Sequence, residues 1–449
     1  MTFMADTGRP RLVVSPQRPN LDTELHIRLH GVPREREVTL RASMDDPRGL
    51  RWYSEAVFRA DGGTLDLHRD APARGSYHGV DPMGLIWSMR PATEPRPDQP
   101  ADFLAPTPFW LAAEVAHVQV AAAEVRRLRV PDGLRRTEVR GHGLVATLYR
   151  PDVDDPVPGV VMLGGAEGGM HEDDAALLAA HGYAALALAY YGVAGLPDTL
   201  ADIPLEYFGQ ALDYLRGHPH VRRDRLAVMG ASKGGEAALL VAATFPYVRA
   251  VVSVVGSGLL TQGISQDLRT GALLDILRTP VPNWTWQGQA LPYLPNVVTP
   301  ELEAVVAAGE PVALRLAFER ALALGDLAPA ATIPVERIHG AVLLISSSDD
   351  QGYGVAFHDV AAHRLATHHH PHPWRHIVFP DAGHHISAPP YAPTTHAMSP
   401  GPGVTFRGGG TPVADAHARA ATWQETLRFL AAELGSSMPK PETTAHRPR

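Results

Sequence analysis

A serine, an aspartate and a histidine stand in this chain where short apolar runs give way to turns, residue types that together could carry out nucleophilic chemistry on a carbonyl. The apolar stretch Leu226 to Met229 runs into Gly230-Ala231-Ser232-Lys233-Gly234-Gly235 and then into an Ala- and Leu-rich stretch, Glu236 to Ala243, with helical spacing. In so tight a strand-to-helix turn, Gly230 and Gly234 remove the Cβ atoms that would clash, and Ser232 is lifted to the carboxyl end of the strand as a nucleophile elbow. At the start of the new helix the Lys233 amide faces the place where an oxyanion would form on a carbonyl attacked by Ser232.

The residues C-terminal to this elbow match that architecture, in which the acid and then the histidine come after later strands. Ala341 to Ile345 is a β-rich run ending in Ser346-Ser347-Ser348-Asp349-Asp350, and His376 to Phe379 is another, ending in Pro380-Asp381-Ala382-Gly383-His384-His385. His384 would take the proton from Ser232, and Asp350 would orient the imidazole and stabilise its cation; Asp349 is the second candidate for the acid. A third buried-strand pattern, Gly159 to Leu163, precedes the glycine-rich run Gly164 to Gly169. That loop would supply the second oxyanion donor from near Ala166, with Gly165 and Glu167 beside the substrate. Each such donor is typically worth about 3–4 kcal/mol of barrier. The run is not a phosphate loop, since Met170 and His171 come after it where a Lys and a Ser or Thr are required.

The elements that position these residues alternate regularly. From residue 140 to 436 strands alternate with helical segments, including Asp173 to His181 and Leu205 to Arg216, which predicts a mainly parallel, doubly wound α/β domain. Residues 1–139 alternate apolar and polar residues at period 2, with Leu25, Ile27 and Leu29 on one face, Val38, Leu40, Ala42 and Met44 on another, and Trp52, Ala56 and Phe58 on a third. This predicts an immunoglobulin-like β-sandwich. Residues 259–334 read as a lid inserted in the second domain, with helical patches at Leu302 to Val306 and Leu314 to Leu324. A polar tail, 437–449, is expected to be disordered.

Composition excludes several classes of function. The chain has 449 residues, which suits two domains, and no apolar run near the roughly 20 residues that span a bilayer. Its 40 basic and 48 acidic residues give a net charge of −8 with no basic stripe, which argues against nucleic acid as a partner. With no cysteine there is neither a thiolate nucleophile nor a cysteine metal site, and no cofactor or metal is expected. The first ten residues hold no apolar signal segment, so a cytoplasmic location is expected.

Several segments carry a family resemblance: Gly79-Val80-Asp81-Pro82-Met83-Gly84-Leu85, Ala187-Leu188-Ala189-Tyr190-Tyr191, Pro204-Leu205-Glu206-Tyr207-Phe208, Gly230 to Glu236, and Asp381-Ala382-Gly383-His384. With these the chain resembles, from about Val13 to Leu434, the acyl-CoA thioesterases and bile acid-CoA:amino acid N-acyltransferases, which join an N-terminal β-sandwich to a C-terminal α/β-hydrolase domain. The resemblance implies that Ser232 is the nucleophile, Asp350 the acid, His384 the base and an acyl-CoA the substrate. Family members usually carry a glycine before the D-D pair, where this chain has Ser348. The expected function is that of a serine acyl hydrolase acting on acyl-CoA thioesters. N-acyl transfer to an amino acid, or a carboxylesterase or dienelactone-hydrolase-like activity, is the alternative.

Other conspicuous residues have plainer readings. Only Lys233 and Lys440 of the 40 basic residues are lysine; the Lys233 side chain is expected in solvent, or else against Glu236 or an acidic substrate group. Trp284, Trp286 and Tyr293 resemble a family lid segment and would form either the acyl-pocket wall or the structural core of the lid. The tract His368-His369-His370-Pro371-His372 has no carboxylate cluster near it and reads as a solvated loop, and His385 as a neighbour of His384.

Overall fold

Two sheet systems organise the computed structural model, which describes residues 9–32, 36–47, 49–92, 102–268, 270–325, 328–387, 389–394, 398–401 and 404–435. The tail 437–449 lies outside them. Near the N-terminus, strands Arg11–Ser15, His26–His30 and Thr64–Asp66 form one sheet, and strands Glu37–Asp45, Arg51–Arg59, Thr107–Val115 and Val118–Arg127 form the body of a second. The faces expected from the period-2 alternation are the buried ones: Leu25, Ile27, Leu29, Val38, Leu40, Ala42, Met44, Trp52, Ala56 and Phe58 share a single apolar core between the sheets.

The larger sheet has eight strands, β1 (Leu134–Val139), β2 (Val145–Pro151), β3 (Val157–Leu163), β4 (Ala184–Ala189), β5 (Val221–Ala231), β6 (Ala250–Val254), β7 (Ala341–Ser347) and β8 (Trp374–Phe379). Their spatial order is β1-β2-β4-β3-β5-β6-β7-β8. From β4 to β8 every pairing is parallel, and only the β1–β2 and β2–β4 pairings are antiparallel. This is the α/β-hydrolase fold. Strands β3, β4 and β6 are buried along their whole length, as parallel strands covered on both faces must be, and that explains their largely apolar sequences, with Ser253 in β6 the polar exception. β1 hydrogen-bonds along β2, so this sheet starts at Leu134, just before the domain boundary expected at residue 139. The strand is short, exposed and charged (LRRTEV), so nothing in it distinguishes the two units.

Helices α1 (Glu172–Ala180), α2 (Leu205–Gly217) and α3 (Lys233–Thr244) follow β3, β4 and β5. Between β6 and β7 the expected insertion carries α4 (Leu273–Arg278), α5 (Pro300–Ala307) and α6 (Arg315–Ala323), the last two falling on the predicted helical patches. After β7 comes α7 (Val355–Thr367), and after β8 the long α8 (Pro412–Leu434). The sandwich buttresses α8 directly. Asp81, in the first of the family-like segments, accepts from Trp87 Nε1 at 2.8 Å and meets His417 Nε2 at 3.0 Å, while Asp22 accepts from Trp423 Nε1 at 3.0 Å.

Candidate active site

Ser232 joins β5 to α3 with φ 55° and ψ −122°, a conformation that costs a non-glycine residue about 1–3 kcal/mol and persists only when its surroundings enforce it. The turn around it is packed too closely for side chains at its flanking glycines. A Cβ on Gly230 would lie 2.4 Å from the Gly234 backbone, and one on Gly234 would lie 2.5 Å from the Gly164 carbonyl oxygen. Those contacts explain why glycine is needed at both positions of the G-x-S-x-G run.

The structure brings together the three residues expected from sequence. His384 Nε2 lies 3.0 Å from Ser232 Oγ, and His384 Nδ1 lies 2.8 Å from Asp350 Oδ1. The same Asp350 oxygen accepts from the Gly352 amide at 2.7 Å. Burial opposes charge on Asp350, but His384 and the amides of Gly352 and Gly354 outweigh it and hold its pKa below the ordinary carboxylate value. For His384, burial works against the cation; the charge and hydrogen bond of Asp350, with the charge of Glu167, prevail and raise its pKa above 6.5. This pair can accept a proton from Ser232 and stabilise the resulting imidazolium. Asp349 points elsewhere: its Oδ2 accepts from the Gly410 amide at 2.8 Å and its Oδ1 from Gln351 Nε2 at 2.5 Å. Ser348, the departure from the family pattern, accepts from the Asp381 amide at 2.9 Å and so ties the acid loop to the histidine loop.

Ala166 lines the cavity at Ser232 together with Gly165, Glu167 and Lys233. As the first residue of α3, Lys233 carries one of the amides that a helix leaves without an internal partner. The glycine-rich loop after β3 is held by tyrosines whose role the sequence did not disclose: Tyr190 Oη donates to the Gly164 carbonyl at 2.6 Å, and Tyr191 Oη to that of Gly165 at 3.1 Å. Glu167 turns back to accept from the Gly165 amide at 3.0 Å and pairs with His171 at 2.8 Å.

The cavity holds about 210 Å³ and is lined mainly by apolar side chains, several from the lid, among them Ile264, Leu273, Leu277 and Phe318. That is below the roughly 300–1,000 Å³ of pockets that enclose a drug-sized ligand.

The solvated reading of Lys233 is overturned. Its side chain is buried, donates to Thr261 Oγ1 at 2.5 Å and to the Gln262 carbonyl at 2.8 Å, and stands 3.6 Å from Glu236. Glu236, fully buried, also accepts from Thr261 Oγ1 at 2.7 Å, Asn283 Nδ2 at 2.9 Å, Trp284 Nε1 at 3.0 Å and Tyr353 Oη at 3.2 Å. Lysine and glutamate together pin the lid to α3, the helix that follows Ser232. Glu236→Ala should therefore lower stability by about 3–5 kcal/mol in urea unfolding, because it strands a buried ammonium and several donors; a loss below about 1 kcal/mol would show that the cluster does not carry the lid.

Of the two readings of the lid aromatics, the structure realises the core. Trp284 packs on Tyr190 and Phe208, Trp286 on Phe245, and Tyr293 against the core of the larger sheet; none of the three lines the cavity. Within the histidine tract, His370 departs from the solvated reading, being buried with Nε2 donating to the Gly340 carbonyl at 3.0 Å. Among the described residues no cluster of three or more His, Asp or Glu is arranged to hold a metal ion, and no helix is long and apolar enough to cross a membrane.

Sequence reasoning missed α8 as a support of the site. Asp415 accepts from the Gly383 amide at 2.7 Å, and Arg419 donates to the His385 carbonyl at 2.7 and 3.1 Å, gripping the backbone on either side of His384. The signal that could have found it was the polar series Asp415, Arg419, Thr422 and Thr426, which at steps of four, three and four falls on one helix face.

Comparison with known proteins agrees across both sheet systems. Residues 203–436 match the model of the BAAT/acyl-CoA thioester hydrolase C-terminal region, and residues 22–141 that of the acyl-CoA thioester hydrolase/BAAT N-terminal region. The chain is 34% identical to mouse acyl-coenzyme A thioesterase 2, mitochondrial, over 95% of its own length and 90% of that protein. It is 34% identical to rat acyl-coenzyme A thioesterase 1 over 92% and 94%, and 32% identical to the human acyl-coenzyme A thioesterase 1 over 92% and 94%. With its sandwich, its hydrolase sheet and its matched length, the chain belongs to the acyl-CoA thioester hydrolase/BAAT family.

Proposed function

We propose that the protein hydrolyses acyl-CoA thioesters by a two-step serine mechanism. The observation that carries this reading is the unbroken run Ser232–His384–Asp350, of which Ser232 and His384 line an apolar cavity. Ser232 Oγ attacks the thioester carbon as His384 takes its proton, and the amides of Lys233 and Ala166 hold the oxyanion. The carbon–sulfur bond then breaks, the thiol leaves with the proton from His384, and an ester to Ser232 remains. Water, deprotonated by His384, attacks that ester; the acid departs and Ser232 Oγ recovers its proton.

Water should prevail over an amine as the acyl acceptor, because the intermediate is an oxygen ester and less activated than the thioester an enzyme cysteine would form. The test is a panel of acyl-CoAs and p-nitrophenyl esters, with and without millimolar glycine or taurine, with the products identified by mass spectrometry. Free acid in a yield independent of the amine is expected. Mainly N-acyl amino acid would make the protein an acyltransferase, and turnover of oxygen esters alone would make it an esterase; either overturns the proposal.

A further inference from the structure

The residues around the cavity fall into two groups. Those from the lid are mostly apolar, Gln262 and Asn296 excepted, whereas a second lobe beside Met162, Met229 and Trp423, where α1 and α8 meet the sheet, includes Asp174, Thr422 and Thr426. Asp174 Oδ1, Thr422 Oγ1 and His385 Nε2 belong to residues lining this lobe, are shielded from solvent and make no hydrogen bond within the protein; on the lid side Asn296 Oδ1 is left in the same way. The Asp174 side chain is only 5% exposed and Thr422 2%. A carboxylate oxygen left in this way costs more than any hydrogen bond it forgoes, so a donor is required there.

The charges around the lobe define the donor. Asp174 faces His171, whose Nδ1 lies 3.3 Å from Asp174 Oδ2. Burial opposes the His171 cation, but hydrogen bonds to Asp174 and Glu167 outweigh it and raise its pKa well above 6.5. Arg419 is a second cation whose field includes Asp174, and Asp173 is already paired with Arg129 at 3.0 Å. Burial, then the charges of His384 and Arg419, lower the pKa of His385 to about 4, so it is neutral at pH 7. An added cation would meet His171 and Arg419, and an added anion would meet Asp174. A neutral group that both donates and accepts fits, and the apolar walls require it to be carried on hydrocarbon.

We propose that this lobe is a subsite for a hydroxyl group on an acyl chain, bound by Asp174, Thr422 and His385, so that the enzyme selects hydroxylated acyl groups. The proposal rests on the acyl-hydrolase reading for its substrate but is tested without turnover. The wild-type chain is titrated calorimetrically with decanoate and with its 3-, 6- and 10-hydroxy derivatives. At least one hydroxy acid should bind about 10-fold more tightly than decanoate, the worth of one or two net hydrogen bonds. Thr422→Val should remove most of that preference with little effect on decanoate, and Thr422→Ser, which keeps the hydroxyl, should retain it. Equal binding of all four acids, no binding, or a preference untouched by Thr422→Val would overturn the subsite. Failure to turn over acyl-CoA would overturn the catalytic reading and leave the binding result standing.

Discussion

Ser232→Ala should lower kcat for acyl-CoA hydrolysis by about 10⁴–10⁶-fold, the usual consequence of removing the nucleophile from residues that act as a unit. Substrate binding should be almost unchanged, since in the proposed complex the acyl chain would be held by the apolar cavity wall more than by the serine hydroxyl. Folding should also survive. Alanine at 232 leaves Gly230 and Gly234, which the close backbone packing of the turn requires, untouched, and among the described residues the side-chain hydrogen bond lost is the 3.0 Å contact with His384. A serine-directed phosphonate should label Ser232 and no other residue. Labelling elsewhere, or an alanine variant that retains a tenth of the activity, would end the assignment of Ser232 as nucleophile.

What could be read from the sequence was what short-range sterics and strand order dictate. The elbow was legible because two glycines and a serine over five residues have few other uses between a strand and a helix, and the relative placement of Asp350 and His384 comes from their strands. The surroundings of the site depend on contacts between residues far apart in the chain. Lys233 looked solvated because a lysine at the start of a helix normally is; its burial depends on Thr261 and Gln262, 28 and 29 residues away. The tryptophans of the lid divided evenly between pocket and core because an aromatic residue suits both, and the decision came from Glu236, which gives Trp284 Nε1 a buried acceptor. The grip of α8 on the histidine loop spans only 32 to 34 residues, yet no local pattern shows what a polar helix face will meet.

The choice between adjacent aspartates shows how the same limitation is resolved by geometry and how it should appear in kinetics. Asp350→Asn should lower kcat by about 10⁴-fold, because the imidazolium formed in the transition state loses its counter-charge and the imidazole its fixed orientation. The amide cannot replace the carboxylate cleanly: Oδ1 already accepts from both His384 and the Gly352 amide. The Gly354 amide is a further donor to the carboxylate, so an NH₂ group in either orientation meets an N–H. Asp349→Asn keeps one oxygen for the Gly410 amide and should stay within about 10-fold of wild type, with some loss of stability from the weakened loop. The pH dependence separates a charge effect from a folding effect. His384 must be neutral to act as base, so kcat/KM should rise with pH through a pKa above 6.5 in the wild type, where Asp350 outweighs burial. Without the Asp350 charge, burial remains and opposes the cation, so the residual activity of Asp350→Asn should rise through a lower pKa. In Asp349→Asn the limb should stay where the wild type has it. If instead Asp349→Asn moves the limb and Asp350→Asn does not, Asp349 is the residue that faces the imidazole in solution, and the loop holds a register one residue away from the one described.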